Sequence, residues 1–360
     1  MSILTINSGS TSVKLAWYEG VSRPSGSTQV EAAADPPAAL RGLTLQGPPA
    51  VVAHRVVHGG TRFSAPVSVD AGVLEEISRL GELAPLHNGR ALHWMEAATQ
   101  LWPRAVQVAV FDTAFFHGLP RVAAEYALSP QLGSSLGVRR YGFHGLAHQA
   151  MWEAWCAAWP GLSQGGRIIT LQLGGGCSMA AIDQGRPLDT TMGFSPLEGL
   201  VMATRSGDID PAVVPYLQHR LHLSAEEVVE RLNTDGGLAG LTGRSSAGDL
   251  LAVASPEAGF ALDLYCYRIR KYLGAYLGVL GGCDGILFGG GVGEHVPQIR
   301  ERVIDAFAWA GIFLDGRRNA AARGGPARVD AGHSRARIHV VSVDEQAVLA
   351  RAAAGFLPGH

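Results

Sequence analysis

Hydrophobic and polar positions along the chain alternate between two spacings, which predicts strands separated by helices. The segments Ile3–Gly20 and Ile168–Gly185 each give a β-branched apolar run, a turn of small residues, a second apolar run and a turn that ends in glycine. This order is typical of a buried strand hairpin. Asp70–Leu83 predicts a helix with an aspartate cap, Ser224 predicts the start of another, and Pro256–Leu280 predicts a long apolar helix. Alternating strands and helices indicate an α/β fold.

The two hairpins also match each other at a constant offset, which indicates one plan used twice. Asn7 corresponds to Gln172, and each lies just before a glycine-containing turn. A third glycine-rich turn, in Ile286–Glu294, follows another apolar run. We therefore predict two similar halves that face each other across a cleft, with one hairpin turn from each half entering it.

Composition excludes several classes of protein. The 360 residues favour two domains, and 47% hydrophobic with 17% charged residues is typical of a globular chain. A net charge of −2 gives no general attraction for nucleic acid or a membrane, so neither is expected as a partner. Widely spaced cysteines without a CxxC pair, and an N-terminus without a basic region, predict a cytoplasmic protein.

By composition Gly20–Pro49 is the least ordered part, and Arg317–Ala336 is predicted to be a surface loop.

The chemistry of the turns and of a few polar residues favours phosphoryl transfer. Turns of glycine and serine after strands expose backbone N–H groups to a phosphate, and none of them has a P-loop or Rossmann pattern. Arg55, Asp112, His144 and Arg205 stand in otherwise apolar or glycine-rich runs. Each by itself could be a structural ion pair or part of a capped loop. Together they supply cations for a transferring phosphoryl group and a carboxylate for a metal.

Several motifs resemble those of acetate kinases, in the same order along essentially the whole chain. They are Asn7–Lys14, His54–Gly60, Ala84–Asn88, Phe111–Phe115, Arg139–Gly145, Met192–Pro211, Gly291–Glu294 and Val343–Gln346. The stretch Met192–Pro211 is the most specific. The resemblance implies duplicated actin-like (ribonuclease H-like) domains, as in sugar kinases. It also implies reversible, direct in-line transfer of the ATP γ-phosphoryl group to acetate, which gives acetyl phosphate and ADP.

The resemblance assigns a role to each matching residue on the acetate side. Asp112, His144 and Arg205 would be catalytic, and Asn7 and Glu345 would hold Mg²⁺ or Mn²⁺. The acetate would be held by Arg55 and by an apolar pocket of Val57, Leu86, Phe143 and Pro196. One methylene in such a pocket is worth only about 1–3 kcal/mol, so propionate should be a poorer substrate and not an excluded one.

On the nucleotide side the chain departs from the family's pattern. The residues that would bind nucleotide are Lys14, Gln172, Leu173, Gly174, Gly175, Gly176, Ala247, Gly248, Asp249, Gly291, Val292, Gly293, Glu294 and His295. The family's His-Leu-Gly-Asn-Gly turn is Gln172–Gly176 here, its Ser-Ser-Asp-Phe/Met-Arg loop is Ser245–Asp249, and the asparagine after Gly-Glu is His295. Two interpretations of the donor therefore remain. The enzyme uses ATP and contacts the base differently, or it uses another phosphoryl donor, such as pyrophosphate or another nucleoside triphosphate. A non-catalytic sensor of acyl phosphate or nucleotide, and a sugar kinase of the same superfamily, are the further alternatives.

The resemblance also implies how the chain is organised. We expect an N-terminal domain of residues 1–113 plus 347–360 and a C-terminal domain of residues 114–346 that carries the nucleotide-binding turns. A homodimer through the second domain is expected.

Overall fold

A computed structural model describes residues 2–9, 12–20, 23–82 and 85–357, without the side chains of residues 82 and 85–87. The chain forms two compact units. The first contains Met1–His117, Phe143–Ala150 and Asp344–His360, and the second contains Gly118–Gly142 and Met151–Val343. The domain boundaries expected from the sequence, and the cleft between the halves, stay predictions.

The strands and helices alternate along the described chain. The strands are β1 Ile3–Ser8, β2 Ser12–Tyr18, β3 Gly26–Glu31, β4 Val51–Val56, β5 Val67–Ser68, β6 Val106–Phe111, β7 Arg167–Leu173, β8 Cys177–Asp183, β9 Arg186–Thr190, β10 Gly285–Gly289, β11 Ala327–Arg328 and β12 Arg337–Val340. The helices are α1 Pro36–Arg41, α2 Ala71–Arg79, α3 Pro85–Leu101, α4 Arg121–Ala124, α5 Gly145–Ala158, α6 Val213–Leu221, α7 Ala225–Thr234, α8 Gly237–Thr242, α9 Ala247–Leu250, α10 Pro256–Leu280, α11 Gly290–His295, α12 Pro297–Ile304, α13 Gly316–Ala321 and α14 Glu345–Ala354. Short 3-10 helices lie at Leu80–Glu82, Asp112–Phe116, Ser134–Leu136, Ser163–Gly165 and Asp305–Ala310.

The sheet of the first unit has the order β3-β2-β1-β4-β6-β5. β1, β4 and β6 are parallel, whereas β2, β3 and β5 join antiparallel. Every residue of β1 is buried, since helices cover both faces of such a sheet. Leu4, Ile6 and Trp94 pack together in one core cluster of this unit. Val56 and Phe111 pack with their neighbours in a second cluster. This core fixes the carboxyl ends of three parallel strands side by side.

The sheet of the second unit repeats the plan of the first, with the order β11-β12-β10-β7-β8-β9. The hairpin β7–β8–β9 corresponds to β1–β2–β3, and the parallel strands β10 and β12 correspond to β4 and β6. The short antiparallel strands β5 and β11 close the two sheets in the same way. The duplicated α/β fold predicted from the two sequence hairpins is confirmed.

The predicted helices occur in the structure, although α2 ends at Arg79, a 3-10 helix follows to Glu82, and Leu83 lies outside the described residues. Asp70 accepts a hydrogen bond from the Val73 N–H, 2.8 Å, at the start of α2. Ser224 begins α7 with a reciprocal capping box to Glu227, and α10 has the predicted bounds. Among the described residues, no helix combines the length and apolar character that crossing a membrane requires.

Two segments predicted to be loops contain regular structure. Gly20–Pro49 includes β3 and α1, and Arg317–Ala336 includes most of α13 and all of β11. β3 is largely exposed and polar, so its sequence lacks the apolar alternation of a half-buried strand. It forms because the edge of β2 offers it backbone hydrogen bonds.

Candidate active site

Three polar side chains meet at the carboxyl edge of the first unit's sheet. Asn7 is near the end of β1, Arg55 is near the end of β4, and Asp112 follows β6 directly. These strands are adjacent and parallel. The carboxyl ends of parallel strands lie on one edge of a sheet, which is where α/β proteins bind ligands.

Arg55 and Asp112 form a buried, forked ion pair. Arg55 Nη2 donates to Asp112 Oδ2 at 2.6 Å, and Arg55 Nε lies 3.1 and 3.2 Å from the two carboxylate oxygens. Asp112 is fully buried, and the Arg55 side chain is 10% exposed. Burial alone lowers the pKa of Arg55, but the carboxylates of Asp112 and Glu345 outweigh it and raise the pKa above its ordinary value. Burial raises the pKa of Asp112, and Arg55 offsets part of that rise.

Asn7 and Glu345 complete this polar cluster. Asn7 Nδ2 donates to Glu345 Oε2 at 2.6 Å, and Arg55 Nη1 donates to Asn7 Oδ1 at 3.1 Å. Glu345 is the first residue of α14, which packs against β1 and β4. No cluster of three or more His, Cys, Asp and Glu that could hold a metal occurs in the described part of the chain. Two carboxylates and one amide oxygen nevertheless fit Mg²⁺, which keeps several waters and takes its other ligands from substrate phosphates.

The start of α5 lies against Asp112. The backbone N–H of His144 donates to the Asp112 carboxylate, which favours its charged form. His144 has φ +58°, a conformation in which non-glycine residues are uncommon. A Cβ atom on Gly145 would lie 1.9 Å from the Asp112 carbonyl oxygen. Only glycine permits this approach, which places His144 beside the predicted catalytic carboxylate.

The turn after β4 is held by buried hydrogen bonds. Asn88 Oδ1 accepts from the His58 N–H at 3.1 Å, and Asn88 Nδ2 donates to the His58 carbonyl at 3.0 Å. The Gly59 N–H donates to Thr113 Oγ1 at 3.0 Å. The His58 and Phe143 rings meet edge to face, with centroids 5.4 Å apart. The structure thus brings Phe143 next to the turn that begins with the buried Val57.

The first hairpin turn carries the other predicted residue of this unit. Lys14 is exposed on β2 and pairs with Asn7 across the strands, so both side chains are on one face. Arg90 of α3 donates to the Gly9 carbonyl at 2.5 Å and thereby fixes one side of the turn. Leu86 lies in α3, but its side chain is outside the described residues.

In the second unit Arg205 is a partly buried cation. Its Nη1 donates to the Pro196 carbonyl at 3.1 Å and lies 3.7 Å from the Met202 sulfur. Burial lowers the pKa of Arg205, and Cys177 raises it slightly. No carboxylate of the described part of this unit forms an ion pair with it. A guanidinium held by a carbonyl and a sulfur has donors left for an anionic ligand.

The glycine turn after β7 lies beside the segment that carries Arg205. The Ala203 N–H donates to the Gly175 carbonyl at 3.1 Å. A Cβ atom on Gly290, which has φ +75°, would lie 2.6 Å from the Leu173 carbonyl oxygen and 2.9 Å from Gln172 Nε2. The predicted turn Gln172–Gly176 is therefore a neighbour of Gly291–His295. The prediction of a turn at Gly291–His295 is wrong, because these residues are helical and belong to α11. Gln172 Oε1 is buried without a partner among the described residues.

The altered nucleotide-side residues adjoin these turns. Ala247, Gly248 and Asp249 form most of the short helix α9, and a Cβ atom on Gly248 would lie 3.7 Å from Val296. His295 is the last residue of α11. Its ring packs against Gly324, where an added Cβ atom would lie 2.6 Å from His295 Cε1. Arg300 beneath α11 is fully buried and donates to the Gly293 carbonyl at 2.7 Å.

Sequence reasoning missed several residues whose side chains hydrogen-bond to the predicted site segments. Asn88, Arg140 and Glu198 lie inside the recognised motifs but had no assigned role. Tyr126 lies in no motif, and no sequence signal identifies it. Their hydrogen bonds join residues distant in sequence, so only the fold reveals them.

Comparison with known proteins decides the family. The family model described as the acetokinase family matches residues 44–351. The chain belongs to the acetokinase family. An acetate kinase of Halothermothrix orenii is 41% identical over 304 residues, which cover 83% of this chain and 76% of the relative. An acetate kinase of Clavibacter sepedonicus is 42% identical over 309 residues, 85% of this chain and 78% of the relative. The family and the enzyme class expected from the sequence are confirmed.

Solved structures of this family superpose on nearly the whole chain. The crystal structure of Porphyromonas gingivalis acetate kinase has a TM-score of 0.88 and 33% identity and covers 99% of both chains. A propionate kinase of Francisella tularensis has a TM-score of 0.86 and 29% identity, over 98% of this chain and 99% of that one. The family model begins at residue 44, so the likeness of β1 and β2 rests on structural superposition and on the Asn7–Lys14 motif.

Proposed function

We propose that this protein is an acetate kinase that transfers the γ-phosphoryl group of ATP to acetate, reversibly, giving acetyl phosphate and ADP. The observation that carries the proposal is the buried cluster of Arg55, Asp112, Asn7 and Glu345 at the carboxyl edge of a sheet, in a chain of the acetokinase family. A purely structural ion pair has no need of a second carboxylate and an amide at that edge.

Arg55 binds the carboxylate of acetate, the phosphoryl acceptor. Arg55 donates from Nε and Nη2 to Asp112 and from Nη1 to Asn7, and its remaining N–H groups suit a carboxylate. Its pKa above the ordinary value keeps it charged at every working pH. The resemblance to acetate kinases assigns Val57, Leu86, Phe143 and Pro196 to the methyl group of acetate, and the contact of Phe143 with the turn after Val57 supports this assignment within the first unit. Propionate is a poorer substrate, because a pocket of this kind discriminates one methylene by about 1–3 kcal/mol.

Transfer is direct and in line. An acetate oxygen attacks the γ-phosphorus as the bond to the β–γ bridging oxygen breaks, and ADP leaves. Arg205 and His144 stabilise the negative charge on the equatorial oxygens. The absence of a carboxylate beside Arg205 in its described unit supports this role, because no internal anion competes with the substrate. Asp112 orients Arg55 and lies beside the acetate and the metal.

Mg²⁺ is the metal that fits the oxygen donors of Asn7 and Glu345. The ion neutralises phosphate charge when the nucleotide is bound. Glu345 is 17% exposed, so its carboxylate would be accessible to a hydrated ion.

The resemblance assigns donor binding to the glycine turn Gln172–Gly176 and to α11 of the second unit, and it assigns Lys14 of the first unit to the nucleotide phosphates. Backbone N–H groups of Gln172–Gly176 and Gly291–His295 suit phosphate oxygens. The small residues of Ala247–Asp249 offer few side-chain groups to a base. That observation favours, as a second candidate, the same acceptor with pyrophosphate or another nucleoside triphosphate as donor.

The proposal also includes the oligomeric state and the compartment: the protein forms a homodimer through the second unit, in the cytoplasm. In the second unit Tyr267, Phe260 and Trp309 expose 56%, 59% and 77% of their surface. Large apolar side chains exposed to this extent are typical of an interface, and a second copy of this chain is the occupant expected.

The test is formation of acetyl phosphate, trapped as the hydroxamate, from acetate and Mg²⁺ with ATP, GTP or pyrophosphate. ATP should support turnover, Asp112→Asn and Arg205→Ala should lose at least about 100-fold in kcat, and propionate should react more slowly. Asp263→Asn removes a mostly exposed carboxylate of the second unit and should leave kcat unchanged. Turnover with pyrophosphate alone would establish the second candidate, and no product with any donor would refute the acetate assignment.

A further inference from the structure

A partly buried polar network lies against the segment that carries Arg205. We name Met192–Asp208 the Arg205 segment. Arg140 Nη2 donates to Glu198 Oε1 at 2.6 Å, and Arg140 Nη1 donates at 3.1 Å to the carbonyls of both Thr190 and Thr191. The Arg140 side chain is 16% exposed and that of Glu198 28% exposed. Arg140 thus links Glu198 of the segment to the end of β9 and to Thr191.

Tyr126 joins both sides of the turn that contains Pro196. Its hydroxyl donates to Glu198 Oε2 and accepts from the Phe194 N–H at 2.9 Å. Pro196 lies midway between Phe194 and Glu198, and its carbonyl accepts the 3.1 Å hydrogen bond from Arg205. One hydroxyl therefore holds the residues on both sides of the carbonyl that Arg205 contacts.

Glycine at position 193 makes room for this arrangement. A Cβ atom there would lie 1.7 Å from Glu198 Oε2 and 2.2 Å from the Tyr126 hydroxyl. The segment also has a second anchor, because Asp208 accepts from the Gly199 N–H at 2.8 Å and from the Tyr272 hydroxyl at 2.7 Å. The segment is thus held at Glu198 and at Asp208, and Arg205 within it contacts the Pro196 carbonyl.

We propose that Glu198 is a positioning residue for phosphoryl transfer: held by Arg140 and Tyr126, it fixes the Pro196 carbonyl and through it aims the Arg205 guanidinium. This inference rests on the proposed role of Arg205. Glu198 does not act on substrate itself. Its contribution passes through Arg205, so the two residues should be energetically coupled.

The first measurement is hydrogen exchange of the Arg205 segment, followed by mass spectrometry. Glu198→Gln and Tyr126→Phe should exchange the amides of residues 193–199 faster than wild type, because each removes an anchor of that turn. Tyr276→Phe is the matched control. Its hydroxyl is buried without a partner among the described residues, so its removal should leave exchange of the segment unchanged.

The second measurement is a double-mutant cycle on acetyl phosphate formation. Glu198→Gln should lower kcat by about 10- to 100-fold with little change in the KM for acetate, the size of effect expected when a catalytic group is misplaced by about 1 Å. In an Arg205→Ala background the same substitution should cost at most about twofold, since there is no guanidinium left to aim. Tyr276→Phe and Asp263→Asn should keep wild-type kcat.

The outcomes separate this inference from the proposed function. Unchanged exchange of residues 193–199 in Glu198→Gln would overturn the inference. An equal loss of kcat with and without Arg205 would also overturn it, because a general structural role predicts that result. Wild-type kcat in Glu198→Gln would also overturn it. If the wild type makes no acyl phosphate, the proposed function fails, and the exchange comparison still decides whether Glu198 fixes the segment.

Discussion

At the scale of single residues, the site is a set of polar groups that satisfy one another. Arg55 gives its donors to Asp112 and Asn7, and Asn7 gives its amide to Glu345. Asp112 is fully buried, so its charge is tolerated because a guanidinium and the His144 N–H face it. The sequence identified each of these residues, but it did not show that Asn7 and Glu345, 338 positions apart, share a hydrogen bond.

The Arg55→Leu substitution should reveal the cost of leaving Asp112 unpaired. We expect a loss of about 3–5 kcal/mol in the free energy of unfolding at pH 7, because a buried carboxylate would keep no counter-ion. Burial raises the pKa of Asp112 in the folded state. Its protonated form is then favoured by folding, so the loss should shrink as the pH falls through that raised pKa. Urea unfolding of variant and wild type at matched pH values measures the difference.

Arg302→Leu is the control for that experiment. Its ion pair with Asp263 is exposed, with side-chain exposures of 38% and 78%, and its removal should change stability little at any pH. A loss for Arg55→Leu as small as the control's, or independent of pH, would contradict the account of Asp112 as a buried charge.

At the scale of elements, close backbone approach decides where the catalytic groups lie. The start of α5 reaches Asp112 only because Gly145 has no side chain, and α11 reaches the glycine turn after β7 only because Gly290 has none. Sequence patterns place glycines in turns, but they do not distinguish a glycine that merely turns from one that permits contact. That distinction depends on which backbone lies opposite.

Gly145→Ala should move the start of α5 away from Asp112. A methyl group 1.9 Å from the Asp112 carbonyl oxygen cannot be accommodated without a backbone shift, so we expect kcat for acetyl phosphate formation to fall by at least about 10-fold. Gly259→Ala is the matched control within α10, where a Cβ atom meets nothing within 4 Å. It should retain activity and gain about 0.5–1 kcal/mol of stability. Full activity in Gly145→Ala would mean that this contact does not position His144.

At the scale of the whole molecule, three buried histidines make stability depend on pH. Burial lowers the pKa of His54 and of His58 to about 4 and that of His148 to about 3. Unfolded histidines take up protons below about pH 6.5, whereas these three stay neutral in the folded protein. The unfolded chain therefore binds more protons as the pH falls, and stability decreases from pH 6.5 downward.

Urea unfolding at pH 7.5, 6 and 5 should show this decrease, with a slope of up to about 1.4 kcal/mol per pH unit for each histidine. His54→Leu should reduce the slope, whereas His219→Asn, at an exposed position on α6, should leave it unchanged. Constant stability over this range would show that the three imidazoles are not held neutral by burial.

The sequence by itself determined the α/β class, the duplication, the capped helices and the identity of the charged residues at the site. These follow from local rules, since periodicity, caps and small-residue turns are read over a few residues, and the motifs carry the family. Prediction from the sequence failed for β3. This strand is exposed and has no apolar alternation, and it forms because β2 offers an edge for backbone hydrogen bonds.

Only the tertiary structure decided which of these residues meet. The order of the strands brings Asn7, Arg55 and Asp112 to one edge, and α14 returns Glu345 to the same place. The tertiary structure also revealed Tyr126, which no local pattern marks, and its contact with Glu198, a motif residue that had no assigned role. The physical reason is that hydrogen bonds and burial depend on distances in space. Sequence spacing determines those distances only within single elements.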